Sequence, residues 1–441
     1  MILKFNKITN KLKNSSFVKN TLIVMSGTVT AQVIGFALTP IVSRLFTPSD
    51  FGIFGSFGAV VGVVAAGITL EYSQAIMLPR EKSDALDLFY MSCISTIIIS
   101  ILCALICLGM PGYVMLLMKA PGVWALALLV FAILVTGFNI ALQSWCVRVK
   151  AFKQTSASQV IRSVSSNGMQ IGLGFFKAGA VGLIVSSVLA DLLASMNLLR
   201  IFWADFKTSA HRISWLRIKQ LAREYRDFPM YSASGNIINA LSMGLPVLLL
   251  TNYFGIAVAG AYAFGIRILG APMGLILRAL RQVLYQKACE TAHHGGSLLS
   301  LFIKITAGLF ALAVVPAIIL IIWSPQLFSF IFGRQWFIAG EFASSLVLWQ
   351  TFMFCNLPSD LFARILRLQR RFFIFGMILL VARTLVLILG GMYMTASQTI
   401  FWFSVVGAVM NIMFIVIVAL VLMRKEGAVT WKDMANSLRE G

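Results

Sequence analysis

Twelve mostly apolar stretches run along the chain, separated by short polar and basic connections. They cover residues 20–43, 52–78, 86–109, 123–147, 156–176, 178–203, 229–253, 256–280, 300–323, 338–362, 372–393 and 398–423. A helix needs about 20 apolar residues to cross the hydrocarbon layer of a bilayer, so each stretch is a predicted membrane span. The segment 156–176 is the least apolar, being rich in serine and carrying Arg162, whereas 86–109 and 398–423 are the most apolar. The run that starts near residue 20 is longer than the apolar region of a secretory signal, and no small-residue cleavage site closes it, so a retained first helix is expected. The longest connection, 204–228, mixes Ile213, Trp215, Leu216, Ile218 and Leu221 with cations and reads as an amphipathic helix on a membrane surface.

The pattern therefore predicts an all-α, polytopic membrane protein of about 12 transmembrane helices. Residues 1–19 form a basic N-terminus, 20–203 a six-helix lobe, 204–228 a linker, 229–423 a second six-helix lobe and 424–441 a tail. No connection is long enough to hold a soluble catalytic domain.

Composition sharpens this picture. The chain has 441 residues, 59% of them hydrophobic and only 12% charged, with a mean hydropathy of +0.90. Soluble proteins carry about 25% charged residues, so a soluble enzyme and a disordered chain are both excluded. The net charge of +21 would suit a nucleic-acid partner, but the positions say otherwise. With the N-terminus inside, 29 of the 36 lysines and arginines fall on inside segments, and only Arg44, Lys119, Lys177 and Arg334 fall outside. Such a bias is the positive-inside signature. It predicts both termini in the cytoplasm and accounts for the charge without nucleic acid. The six cysteines lie in spans or on the inside, which implies no disulfide framework, and the three histidines lie in inside connections. No metal site is expected, and no GxxxxGK[ST], GxSxG or HExxH motif occurs.

The two lobes show a faint repeat at an offset of 208 residues. Ser26-Gly27 recurs as Ser234-Gly235, Leu45-Phe46 as Tyr253-Phe254, Gly52 as Gly260 and Phe54 as Tyr262. Six spans per lobe send both copies into the membrane in the same direction, which places a binding site between them. Spans 1 and 7 each carry a proline in the outer half, Pro40 and Pro246. Such prolines bend helices for packing, and in corresponding places of two repeats they also suit gating.

The stretch Pro40-Ile41-Val42-Ser43-Arg44-Leu45-Phe46-Thr47-Pro48-Ser49-Asp50-Phe51-Gly52-Ile53-Phe54, after a basic start and the Ser-Gly-containing first helix, resembles a signature of bacterial polysaccharide-biosynthesis membrane proteins. These are the O-antigen and lipid-linked oligosaccharide flippases of the multidrug/oligosaccharidyl-lipid/polysaccharide exporter superfamily. The resemblance implies two six-helix bundles around a central cavity. It also implies a glycan repeat unit on undecaprenyl pyrophosphate as the substrate, moved from the inner to the outer leaflet of the bacterial inner membrane, with a polysaccharide polymerase and a chain-length regulator as partners.

Five ionisable residues lie deep in spans: Arg162, Arg267, Arg383, Glu71 and Asp191. Charges at that depth are costly and mark function by default. Arginine suits a pyrophosphate because its planar fork binds phosphate bidentately and it stays protonated, so Arg162, Arg267 and Arg383 are candidate substrate-binding residues. The other reading is internal pairing, with Arg162 against Glu71 or Asp191. Glu71 and Asp191 are also candidates for H⁺ or Na⁺ coupling, since a carboxylate in low dielectric takes up a proton readily. No organic cofactor is expected. Two other functions remain open: a multidrug/cation antiporter of the same superfamily, and a membrane-embedded polymerase or acyltransferase. The deep arginines weigh against the antiporter. The short outer connections and the lack of a membrane histidine weigh against the enzyme.

Overall fold

A computed structural model describes residues 16–120, 122–207, 215–293, 296–366 and 369–440. Among these residues the regular elements are all helical. Eleven helices are long and apolar enough to cross a membrane. They divide into two compact units, Met1–Gly260 and Ala261–Gly441.

The first unit begins with α1 (Ser16–Leu45) and α2 (Pro48–Ala65), followed by the short α3 (Tyr72–Ala75). The run α4 (Lys82–Gly109), α5 (Pro111–Met118), α6 (Trp124–Arg148), α7 (Phe152–Phe175) and α8 (Gly179–Lys207) comes next. After α9 (Trp215–Glu224) a π-helical turn, Phe228–Ala233, leads into α10 (Ser234–Phe254). The first residues of α11 (Ile256–His293) complete the unit. The second unit holds the rest of α11, then α12 (Leu298–Phe332), α13 (Phe337–Cys355), α14 (Leu357–Ile365), α15 (Gln369–Tyr393) and α16 (Ala396–Glu440).

Two predicted spans differ from expectation in an informative way. The polar segment 156–176 forms a helix of full spanning length, α7, but is not among the eleven apolar ones. Its polar side chains bond to its neighbours instead. The Thr28 hydroxyl donates to Gln159 Oε1 at 2.6 Å and the Ser163 hydroxyl to the Ala31 carbonyl at 2.5 Å, which joins α7 to α1. On the other flank the Ser158 hydroxyl donates to the Ala194 carbonyl of α8 at 2.7 Å. Hydroxyls paired this way satisfy each other without needing apolar surroundings. The span predicted over 52–78 is the second difference. Its helix stops at Ala65, and residues 66–71 run as turns with Leu70 and Glu71 at φ 48° and 61°. Apolar content alone does not register a break, because Gly67 and Ile68 are as apolar as a helix there would be.

The stretch that carries the family resemblance is a helix stop and restart. Thr47 caps α2: its hydroxyl accepts from the Asp50 amide at 3.2 Å, while Asp50 Oδ2 accepts from the Thr47 amide at 2.8 Å. This is a capping box, with Pro48 at the first turn where its missing N–H costs nothing. Phe46, 1% exposed, fits against Gly174, where an added Cβ would come within 3.0 Å of its ring and of Leu45.

The repeat found in the sequence meets itself in space at its most specific pair. A Cβ on Gly52 would overlap the Ile256 carbonyl, and a Cβ on Gly260 would overlap the Pro48 carbonyl. Ile256 lies 208 residues after Pro48, as Gly260 does after Gly52. Each repeat therefore offers the same glycine to the same carbonyl position of the other. Nearby, Ser56 and Thr251 share a hydroxyl bond of 3.0 Å between α2 and α10.

One end of the first unit is fastened by basic residues. Arg217 on α9 grips Asp84 with two bonds of 2.9 and 2.6 Å, and Lys82 meets Asp205 at 2.6 Å. Arg148 donates to the carbonyls of Ile76, Pro79 and Glu81, the last two at 2.9 and 3.2 Å, and so holds the turn after α3. Under this end a cluster centred on Trp145, Phe89 and Phe202 is packed, with the last two rings stacked at 4.3 Å.

Candidate functional site

The first unit brings two of the predicted residues together. Arg162 on α7 forms an ion pair with Asp191 on α8, through Nε to Oδ1 and through Nη2 to Oδ2 at 3.2 Å. Of the two pairings open at sequence level, Asp191 is the partner and Glu71 is not. The pair is uneven, since the Arg162 side chain is 59% exposed and that of Asp191 17%. On α7 the exposed apolar residues Ala157, Val164 and Phe175 share one face with Gly168. Arg162 lies roughly 140° around the helix from them at about 100° per residue, so the cation is exposed on the side opposite the apolar face.

Asp191 also anchors a polar chain that sequence reasoning did not single out. Its carbonyl accepts from the Ser195 hydroxyl at 2.7 Å, Ser195 Oγ accepts from Asn139 Nδ2 at 2.7 Å, and Asn139 Oδ1 accepts from Gln143 Nε2. The available signal was Asn139 and Gln143, two amides one helical turn apart within a mostly apolar span.

The second unit holds Arg383 on α15, and the arrangement there is different. Arg383 is 3% exposed. Its guanidinium carbon lies 3.7 Å from the Trp349 ring centre and 4.0 Å from that of Phe403. Those two rings stand at 77° to each other and form a corner. Tyr262, 2% exposed, packs edge-on against Phe403 at 6.2 Å. The corner is fixed from behind: the Ser404 hydroxyl accepts from the Trp349 amide at 3.1 Å and donates to the Ser345 carbonyl at 2.6 Å. Gly407 leaves room for the Trp349 ring, which a Cβ there would approach within 2.8 Å. Aromatic faces attract a guanidinium more strongly when water is excluded. They do not use its in-plane donors, and Arg383 Nε and Nη2 have no hydrogen-bond partner among the described residues. The site thus presents two unspent donors at fixed positions, the fork that binds a planar or tetrahedral oxyanion. Sequence reasoning found the arginine but missed Tyr262, Trp349 and Phe403. A tryptophan in mid-span rather than at a span end was the signal.

Arg267 lies exposed on α11. Glu71 lies at the break after α2, 8% exposed, with Oε2 buried and without a hydrogen-bond partner among the described residues. Pro40 and Pro246 sit inside the unbroken helices α1 and α10, and Pro246 is buried. Next to Pro40, the Thr39 and Ser43 hydroxyls donate to the Gly35 and Pro40 carbonyls at 2.7 and 3.1 Å.

Comparison with known proteins now places the chain. A family model described as polysaccharide biosynthesis protein matches residues 41–339, more than half of the chain. No curated protein matches by sequence. Among solved structures, the chain is similar to the lipid II flippase MurJ in an inward closed conformation, with 11% identity, a TM-score of 0.68 and 93% of each chain covered. It is also similar to an inward-facing multidrug resistance MATE family transporter of the MOP superfamily, with 15% identity, a TM-score of 0.64, and 92% of this chain and 99% of that one covered. A MOP superfamily transporter from Pyrococcus furiosus matches with 14% identity and a TM-score of 0.62, over 94% of this chain and 96% of its own. At such identities the likeness defines the fold, and the family model defines the lineage. The chain therefore belongs to the polysaccharide biosynthesis protein family, as a multi-pass membrane protein with the fold of the MOP superfamily.

Proposed function

We propose that the chain translocates a lipid-linked oligosaccharide by alternating access. In this reading the substrate is an O-antigen-like repeat unit on undecaprenyl pyrophosphate, moved from the inner to the outer leaflet of the bacterial inner membrane. Both termini face the cytoplasm. The family match and the flippase-like fold support lipid-linked glycan transport, and the observation that carries the anionic substrate is Arg383. A guanidinium that is buried and, among the described residues, has no carboxylate partner and no hydrogen-bond partner at Nε and Nη2 suits a phosphate more than a cationic drug. Burying an unpaired charge is expensive, and a cation-exporting site has no use for that cost. Arg162 and Arg267 are the accompanying cations of the substrate path, and Pro40 and Pro246 the gating positions. Glu71 and Asp191 are the positions for ion coupling. A polymerase and a chain-length regulator receive the product outside.

Deletion of the gene in its host, followed by measurement of lipid-linked repeat units, tests the reading. The expected outcome is loss of surface polysaccharide with the intermediate held in the inner leaflet. Unchanged polysaccharide and leaflet distribution would refute it. Replacement of Arg267 or Arg383 by Ala is expected to reduce export at least tenfold while membrane insertion stays normal.

A further inference from the structure

Two large apolar side chains are left in the open at the basic end of the first unit. The connection 204–228, expected on a membrane surface, carries five apolar residues, and they do not share one fate. Ile213 lies outside the described residues. Ile218 and Leu221, 9% and 1% exposed, turn inward and join the cluster of Trp145, Phe89 and Phe202. Trp215 and Leu216 turn outward, 71% and 79% exposed. The apolar face that amphipathicity alone would give to lipid is therefore spent on protein, and a different face remains.

Around the axis of α9, at about 100° per residue, Trp215, Lys219, Arg223 and Leu216 follow one another within an arc of roughly 100°. Ile218 and Leu221 occupy the far side. Glu224, the only acid of the helix, lies beside Arg217, which Asp84 holds. The outward arc thus carries two apolar side chains, two cations and no carboxylate. Lys219 and Arg223 are exposed, and no ion pair among the described residues uses them.

The depth of the helix is fixed. Arg217 bonds Asp84 at 2.9 and 2.6 Å, and Asp84 lies two residues before the apolar run 86–109. α9 is therefore tethered where a membrane span begins, at the level of lipid headgroups. A second tryptophan stands at this level. Trp203 on α8 is 53% exposed, with Lys207 Nζ 5.9 Å from its ring centre, and the nearby Asp205 pairs with Lys82 at the start of α4. Tryptophan rings favour the headgroup layer, and basic residues there are drawn to anionic lipid. A soluble acidic partner would answer the cations alone. An anionic phospholipid answers both, with its phosphate toward Lys219 and Arg223 and its upper acyl chain toward Trp215 and Leu216.

We infer that the outward face of α9, formed by Trp215, Leu216, Lys219 and Arg223, binds anionic phospholipid. The connection between the two repeats is thereby anchored to a charged leaflet. That leaflet is the inner one in the orientation proposed above; the binding itself does not rest on the cargo.

The test places the full-length protein in nanodiscs of equimolar phosphatidylcholine and phosphatidylglycerol, with brominated acyl chains on one lipid or on the other. Bromine quenches a tryptophan only at close approach, and the difference between wild type and Trp215→Phe isolates the signal of Trp215. That signal is expected to be quenched at least about twofold more by brominated phosphatidylglycerol than by brominated phosphatidylcholine. Lys219→Gln/Arg223→Gln is expected to keep the quenching and erase the preference, since each basic residue near an anionic surface is worth about fivefold in affinity. The substituted side chains are exposed, so the variants are expected to fold as wild type does. Equal quenching by the two lipids in wild type would overturn the inference, as would an undiminished preference in the double variant. A Trp215 quenched by neither lipid would mean that water, a second copy of the chain or another protein covers the face, and would equally overturn it. No glycan enters this assay. A lipid preference in a protein that exports no glycan would therefore refute the transport reading and leave the lipid site standing.

Discussion

Arg383 illustrates how a single residue divides stability from use. Its contacts with Trp349 and Phe403 return part of what desolvation removes, since a desolvated cation–π contact is worth about 2 kcal/mol. Its Nε and Nη2 have no hydrogen-bond partner among the described residues. Replacing buried charge by an apolar side chain of similar volume is often stabilising, by about 1–4 kcal/mol. Arg383→Met is accordingly expected to unfold at a higher temperature than wild type and to export nothing, as measured by thermal unfolding in detergent and by surface polysaccharide in cells. Arg162 and Asp191 give the complementary case. The arginine is the exposed partner and the aspartate the half-buried one. Removing Arg162 strands a half-buried carboxylate, while removing Asp191 leaves a cation that water can reach. Arg162→Ala is expected to cost about 1–3 kcal/mol more than Asp191→Asn, the penalty of an unsatisfied buried group. Both arginines were visible in the sequence as charges in apolar stretches. Their environments were not, because Tyr262, Trp349 and Phe403 come from three helices far apart in the chain, and no local pattern links them.

At the level of elements, the limits of local reading have physical causes. Helix α7 was the weakest predicted span because hydropathy counts a serine as a penalty, whereas Ser158 and Ser163 bond to carbonyls of flanking helices and lose little by burial. The break after α2 went unseen because four of its six residues, Ala66, Gly67, Ile68 and Leu70, are apolar and only backbone angles mark the departure from a helix. The stretch from Pro40 to Phe54 was legible as a family signature, and the structure supplies its mechanical sense, a capping box at Thr47 and Asp50. The glycines show the same contrast. Gly52 and Gly260 face backbone carbonyls, which have no rotamer by which to yield, while Gly58 and Gly62 on α2 have nothing within 4 Å. Gly52→Ala and Gly260→Ala are each expected to destabilise by at least about 1–3 kcal/mol. Gly58→Ala and Gly62→Ala are expected to be neutral or to stabilise by up to about 1 kcal/mol through helix propensity. Thermal unfolding of the four variants checks the contrast.

Across the whole molecule, basic residues do two jobs at once. Their distribution along the sequence predicts an orientation, and several of them also build structure: Arg148 gathers three carbonyls, and Arg217, Lys82 and Arg281 clasp Asp84, Asp205 and Asp360. Neutralising one therefore loosens packing as well as topology. The orientation itself is open to direct measurement. In a variant lacking the native cysteines, Lys119→Cys, Lys177→Cys and Arg334→Cys are expected to react with a membrane-impermeant maleimide in intact cells, and Lys82→Cys and Lys287→Cys only after lysis. The reverse pattern would invert the assignment. The reciprocal contact of Gly52 and Gly260 joins the two copies of the repeat. A surface on which position i of one copy meets position j of the other, and j meets i, is the self-complementary interface of a two-fold dimer. Such a contact inside one chain makes each glycine a condition for seating the other, so a side chain added at either one pushes both segments apart.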